Sequence, residues 1–293
     1  MMGTKIGTKT GAKTGAKTGA KTFKSKKRNT ASVIFTVLYL LFIFVPLIMV
    51  VMWSVVDMWP WPALLPESFS LRGFSKIFGG NGSFLGTVIL TIGIALATSV
   101  ISVIIATMAA RALVLHFFRG REVFRFGTIL PFLIPQTVFA MGVQVLFLKI
   151  GLANTVVGVI IAHCIIALPY AVSIMVDVTA AAGVKLEEQA KVLGANNLSL
   201  IRHVMIPKLL PGLLSAATMS YLLSIGSYFV TLLIGGGQVT TVMLTMFPVL
   251  TGSDRTIAGA YALTFLAASL IVFVIFELIL KRFGAGEQKD LFT

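Results

Sequence analysis

Apolar runs about as long as a bilayer is thick recur six times in this chain, and that recurrence leaves few folds open. They cover residues 33–56, 84–110, 124–147, 155–176, 207–233 and 257–280. A helix rises 1.5 Å per residue, so about twenty residues cross roughly 30 Å of hydrocarbon. No water reaches the backbone there, so segments of this length must bond internally as helices. Of the 293 residues, 57% are hydrophobic and only 12% charged, about half the charged share of a soluble domain. The expected fold class is an all-α polytopic membrane protein, with six transmembrane helices within residues 33–282. Residues 33–56 are too long for the apolar core of a signal peptide and are read as a retained first span.

Charge fixes the expected orientation. With the N-terminus inside, nine Lys or Arg fall in residues 1–32. Four more lie between the second and third runs or at the start of the third (Arg111, Arg119, Arg121, Arg125), four between the fourth and fifth or at the start of the fifth (Lys185, Lys191, Arg202, Lys208) and three after the sixth. Only Arg72, Lys76, Lys149 and Arg255 fall outside. Both termini are therefore expected in the cytoplasm, residues 1–32 as a basic tail and 283–293 as a short one. The basic tail repeats Gly-Ala-Lys-Thr or Gly-Thr-Lys-Thr over residues 7–22. Such a composition cannot bury enough surface to fold, and it is read as disordered beside anionic lipid, not as a nucleic-acid arm. Ala or Thr always separates Gly from Lys, so this is not a phosphate loop. On the outer side, Trp59 and Trp61 fit an interfacial belt, and Pro60, Pro62 and Pro66 forbid a long helix. The sole cysteine, Cys164, allows neither an intrachain disulfide nor a thiol metal site.

The polar insert at 177–206 is the exception to this apolar pattern. Leu186, Ala190 and Leu193 recur at helical spacing, with Glu187 and Glu188 in the first turn, where the helix dipole favours acids. Gly194 reads as a helix stop, followed by the turn formers Asn196 and Asn197. Residues 198–205 are expected to form a second short helix ending near Pro207. A charged helix-turn-helix at the membrane surface is suited to docking on a soluble partner.

The insert carries Glu188, Ala190 and Gly194, then nine residues, then Val204, Met205, Ile206 and Pro207. This pattern resembles the EAA loop of permease subunits of bacterial type I ABC importers, with Gln189 and Val204 as mild departures. The resemblance covers about residues 80–282 and is nearest to permeases for spermidine and putrescine, with relatives for thiamine, ferric iron and phosphonates. It implies a permease fold in the bacterial cytoplasmic membrane and a coupling role for Glu187, Glu188, Ala190, Gly194, Ala195, Ile206 and Pro207. It also implies the partners: an ABC ATPase dimer that binds ATP and Mg, a second permease chain of different sequence, and a periplasmic or lipid-anchored solute-binding protein. This chain itself is expected to bind no cofactor and to catalyse no reaction.

Polar residues within spans are the candidates for a translocation path. In the fifth run, Ser220, Ser224, Ser227 and Thr231 are spaced as one stripe, with Tyr221 and Tyr228 beside it. The stripe serves either the path or close helix packing. Gln136 and Gln144 offer a second path-lining pair, near Pro131 and Pro135, which can bend the helix. Thr91, Thr98 and Ser102 are read as packing residues, and His163 as a hydrogen-bonded structural residue ahead of a proton relay. The alternative function is a gradient-driven secondary transporter without an ATPase. Internal repeats with interrupted helices in corresponding positions and ionisable residues at mid-membrane would favour it; the sequence shows no convincing repeat, and its midplane is nearly uncharged.

Overall fold

A computed structural model describes residues 30–57, 59, 66, 68–79 and 83–284. The repeat tail up to residue 29, Pro60, Trp61, Pro62 and the C-terminal residues 285–293 lie outside the described residues. Among those described, the chain is helical and no strand occurs; one isolated antiparallel bridge pairs Val56 with Phe69.

The chain divides into two compact units at Pro46, inside the first helix, α1 (Thr30–Ser54). A proline there withholds one N–H from the helical ladder. The first unit, as far as it is described, is the part of α1 before that point. The second unit holds everything after it. After the remainder of α1 it continues with a short helix, α2 (Arg72–Phe78), and the long α3 (Ser83–Leu115). The third apolar run is not one helix but two, α4 (Arg121–Leu133) and α5 (Gln136–Lys149). The break falls at Ile134, which is extended (φ −96°, ψ 123°), the conformation that the ring of Pro135 favours for the residue before it. The fourth run is α6 (Val156–Ala182), started by Thr155, whose hydroxyl accepts the Gly158 N–H at 3.0 Å.

Beyond α6 come α7 (Lys185–Val192) and a single turn, α8 (Asn197–Leu200). The expected stop near Pro207 does not occur. The chain passes from α8 through a wider π-helical turn, Ile201–Met205, straight into α9 (Ile206–Ile225). Pro207 has no N–H to donate back, and its ring crowds the preceding turn; the wider turn relieves both. The fifth run also divides. α9 stops at Gly226, and α10 (Phe229–Gly235) follows, so the hydroxyl stripe is not carried by one continuous helix. A short α11 (Val242–Leu250), which the apolar pattern did not single out, precedes α12 (Arg255–Gly284). Five helical stretches among the described residues are long and apolar enough to cross a membrane; α5, with 14 residues, falls short of that length.

The helices α3, α6 and α9 form the centre. Their contact positions are small: Ala106 and Ala110 on α3, Ala171 on α6 and Ala216 on α9 are fully buried. In lipid, close packing replaces the hydrophobic drive between helices, so small residues gather at such seams. Gly212 on α9 shows how tight the seam is. A Cβ there would sit 2.7 Å from both methyls of Val178 on α6. At the opposite end of the core, Ile94, Phe147, Val159, Val230 and Ile234 join α3, α5, α6 and α10. Arg72 pairs with Asp57 at 2.7 Å and Asp254 at 3.3 Å, tying α2 to the approach to α12.

Candidate functional site

The 177–206 insert is built by its glycines. α6 ends at Gly183, whose backbone (φ 62°, ψ −178°) lies in a region essentially reserved for glycine. α7 then starts with Glu187 and Glu188 in its first turn and ends with Lys191 in its last, both favourable to the helix dipole. Gly194 closes it at φ +85°. Its N–H donates to Lys191 O and that of Ala195 to Ala190 O, both at 3.0 Å. This is the paired bond pattern of a left-handed helix cap. No atom lies within 4 Å of where a Cβ would stand on Gly194, so the backbone angle alone requires glycine. Asn196 then caps α8, its Oδ1 accepting the Ser199 N–H at 2.8 Å.

The apolar side chains of this element face outward. Val192 is 88% exposed, Leu193 87% and Leu198 75%, and α7 has no buried residue. Leu200 is the anchor, at 6%. The periodicity of Leu186, Ala190 and Leu193 thus marks a real amphipathic helix whose apolar face is unused within the chain. Of the other residues matched to the loop pattern, Ile206 is 43% exposed, and Pro207 lies in the first turn of α9.

The two adjacent acids of α7 part company. Glu188 is exposed. Glu187 turns inward and takes both prongs of Arg111 on α3, with Nη1 2.7 Å from Oε1 and Nη2 2.8 Å from Oε2. The Arg111 guanidinium, chiefly through these hydrogen bonds, holds the Glu187 carboxyl below the usual carboxylate range. In the sequence Arg111 counts only toward inside charge. Its partner stands 76 residues away, and no local spacing signals the pair.

The candidate path residues fall into two groups. Ser220, Tyr221, Ser224 and Ser227 are buried where α9 and its end meet the other core helices. His163 on α6 spans the break in the fifth run, with Nδ1 2.8 Å from Ser224 Oγ on α9 and Nε2 3.1 Å from Thr231 Oγ1 on α10. Tyr228, in the break itself, stacks on Phe247 of α11 with centroids 4.1 Å apart. Gln136 and Gln144 lie apart from these, on α5, the first exposed and the second half-buried. Two of the three hydroxyls read as packing residues have hydrogen-bond partners: Ser224 donates to Thr98 Oγ1 at 3.5 Å, and Thr91 Oγ1 accepts the Val242 N–H at the start of α11 at 2.9 Å, while the Ser102 hydroxyl is buried without one. Among the described residues no group of His, Cys, Asp and Glu could hold a metal ion.

The described residues form a packed helical core beside one element whose apolar side chains face solvent. The model of the family described as "Binding-protein-dependent transport system inner membrane component" matches residues 102–285. PhnV of Salmonella typhimurium, named as a permease protein of a 2-aminoethylphosphonate transport system, is 26% identical over 261 residues, covering 88% of this chain and 97% of its own. PotC of Haemophilus influenzae, a spermidine/putrescine transport system permease protein, is 23% identical over 74% of this chain and 84% of its own. A bacterial ABC transporter involved in the import of the acidic polysaccharide alginate has a chain of the same fold. Its TM-score is 0.68 and its identity 19%, over 87% of this chain and 98% of that one. With most of its length matched by the family model and its helices arranged as in an importer permease, this chain belongs to the binding-protein-dependent transport system inner membrane components, as a multi-pass permease subunit of an ABC importer and not an enzyme.

Proposed function

We propose that this chain moves a small oxyanion of the phosphonate type, delivered by a binding protein, and that the α7–α8 element is where an ATPase drives it. The carrying observation is the outward-facing apolar surface of Val192, Leu193 and Leu198 beside the exposed Glu188, on a helix held open by Gly194. Apolar side chains clustered on an exposed element are the mark of a surface that a partner covers. Two ATPase subunits closing on ATP and Mg would push one such element on each of two permeases, this chain and a second one of different sequence. Both termini and the insert are then cytoplasmic. The core would swing between inward-open and outward-open states, biased by ATP on one side and the loaded binding protein on the other. Gln136, Gln144 and the Ser220, Tyr221, Ser224, Ser227 and Tyr228 group are the proposed path and gate.

Among the solutes named for the relatives, an oxyanion suits these residues better than a polyamine. Hydroxyl and amide groups can donate to phosphonate oxygens, whereas no carboxylate lies in the middle of a described span to balance the several ammonium groups of a polyamine, which carries no anionic group of its own. The test is ATP-dependent uptake into proteoliposomes holding the assembled importer, with labelled 2-aminoethylphosphonate competed by spermidine. Phosphonate uptake resistant to spermidine supports the reading, and spermidine uptake overturns the solute class. Glu188→Lys or Gly194→Asp should leave membrane insertion intact and abolish uptake; undiminished uptake in both variants would sink the coupling role.

A further inference from the structure

We propose that the Arg111–Glu187 pair is the strut through which α7 drives α3, which makes Arg111 a positioning residue for transport. The inference rests on the coupling role given to α7–α8 above. It starts from a mechanical difficulty. α7 buries no residue, and glycines bracket it at Gly183 (φ +62°) and Gly194 (φ +85°). A helix attached only through two such joints would pivot when pushed, and the push would be lost at the hinges. A two-state core responds only to a displacement that reaches its packed helices.

The strut supplies that connection. Arg111 stands one turn before the end of α3, and its planar fork matches the carboxylate with both prongs. Two parallel bonds fix orientation as well as distance, which a single lysine contact would not. The side chains are 25% and 14% exposed, so water competes poorly for either. Exposed ion pairs contribute little to stability; here the geometry, more than the energy, matters. From Arg111 the load passes into the seam, since Ala106, Ala110 and Leu113 on α3 pack against α6 and α9. Ser99 on α3 also donates to the Ala217 carbonyl of α9 at 2.8 Å. The two neighbouring acids thus divide the work: exposed Glu188 faces the partner, and inward Glu187 faces the lever.

The test uses the assembled importer with its ATPase. Nitroxide labels are placed at Lys185 on α7 and Ile104 on α3, in a Cys164→Ser background, and their separation is measured with and without a non-hydrolysable ATP analogue and Mg. With Arg111 present, one narrow distance should persist in both states, because α7 and α3 move together. Arg111→Ala should broaden it and shift it by several ångströms on nucleotide binding, with the ATPase still bound. The charge swap Arg111→Glu with Glu187→Arg should restore the narrow distance, which a merely space-filling role would not predict. An unchanged narrow distance in Arg111→Ala overturns the strut, as does a swap that fails to restore it. Loss of the ATPase from Arg111→Ala alone would also overturn it, showing that the pair serves docking. Failure of the ATPase to bind even with Arg111 present would instead overturn the coupling reading, and the strut with it.

Discussion

The seam around His163 and the element around Gly194 place polar and apolar side chains in opposite ways. At the seam, His163, Ser224 and Thr231 are buried and satisfy one another among alanines and glycines. At the element, Val192, Leu193 and Leu198 stand in the open, and the backbone is held by local caps. In the seam, side chains are packed against neighbouring helices, so a change there is felt as lost stability. On an element with few internal contacts, a change is felt only by whatever docks there. If α7–α8 is the coupling element, stability and coupling are separable in this molecule and meet at the Arg111–Glu187 pair.

The largest effect should come from forcing the seam apart. Gly212→Val places new atoms where Val178 methyls stand 2.7 Å from a bare Cβ. Overpacking of this kind costs about 1–3 kcal/mol, read as a lower melting temperature and a poorer yield of monodisperse complex. A variant that melts normally would show the seam to be softer than described. His163→Ala comes next. It removes two interhelical hydrogen bonds, at about 0.6 kcal/mol each in membrane proteins, and leaves a cavity between α9 and α10. Thermal melts should fall by less than for Gly212→Val, and a larger fall would place His163 at the heart of the fold.

Asn196→Ala tests the element by itself. Losing the cap should cost about 1 kcal/mol of local helix, visible as faster amide exchange over residues 197–205 with an unchanged global melt. A drop in the global melt would break the separation drawn here. Acid should act on the junction. Because the Glu187 carboxyl is held below its ordinary value, the stabilisation from its pairing is complete above about pH 4.3, the unfolded value. It is lost only as pH falls through the lower folded value. The label separation between α7 and α3 should therefore stay narrow at neutral pH and broaden only in stronger acid; broadening near neutrality would contradict the pairing. The smallest stability effect belongs to Leu193→Ser, within about 0.5 kcal/mol as for other surface changes. Capture of the ATPase by this variant should nevertheless weaken, and equal capture would show that Leu193 faces something else.

Much of the fold was legible because the bilayer imposes a length and a composition that one segment satisfies alone. The caps of the insert were legible for a similar reason. A glycine required by a positive φ, an Asx cap and acids in a first turn all act within four residues. The interruptions were harder. Pro135 reads as a bend and proves to be a full break, because the extended Ile134 ends one helix before the next begins. The break after Ile225 has no proline to announce it; Gly226 is its one local sign, and tertiary partners such as Phe247 and His163 meet it there. The same non-locality hid the partners of His163 and the pairing of Arg111 with Glu187.

What the sequence determined by itself is the class of protein, through apolar runs of membrane length and a polar insert with spaced Glu, Gly and Pro. The tertiary structure alone decided which polar groups pair, where two of the runs come apart, and how the docking helix is tied to the core. Hydropathy, caps and charge bias are properties of short stretches of chain. Pairing across 61 or 76 residues depends on how helices pack, and no short stretch carries that information.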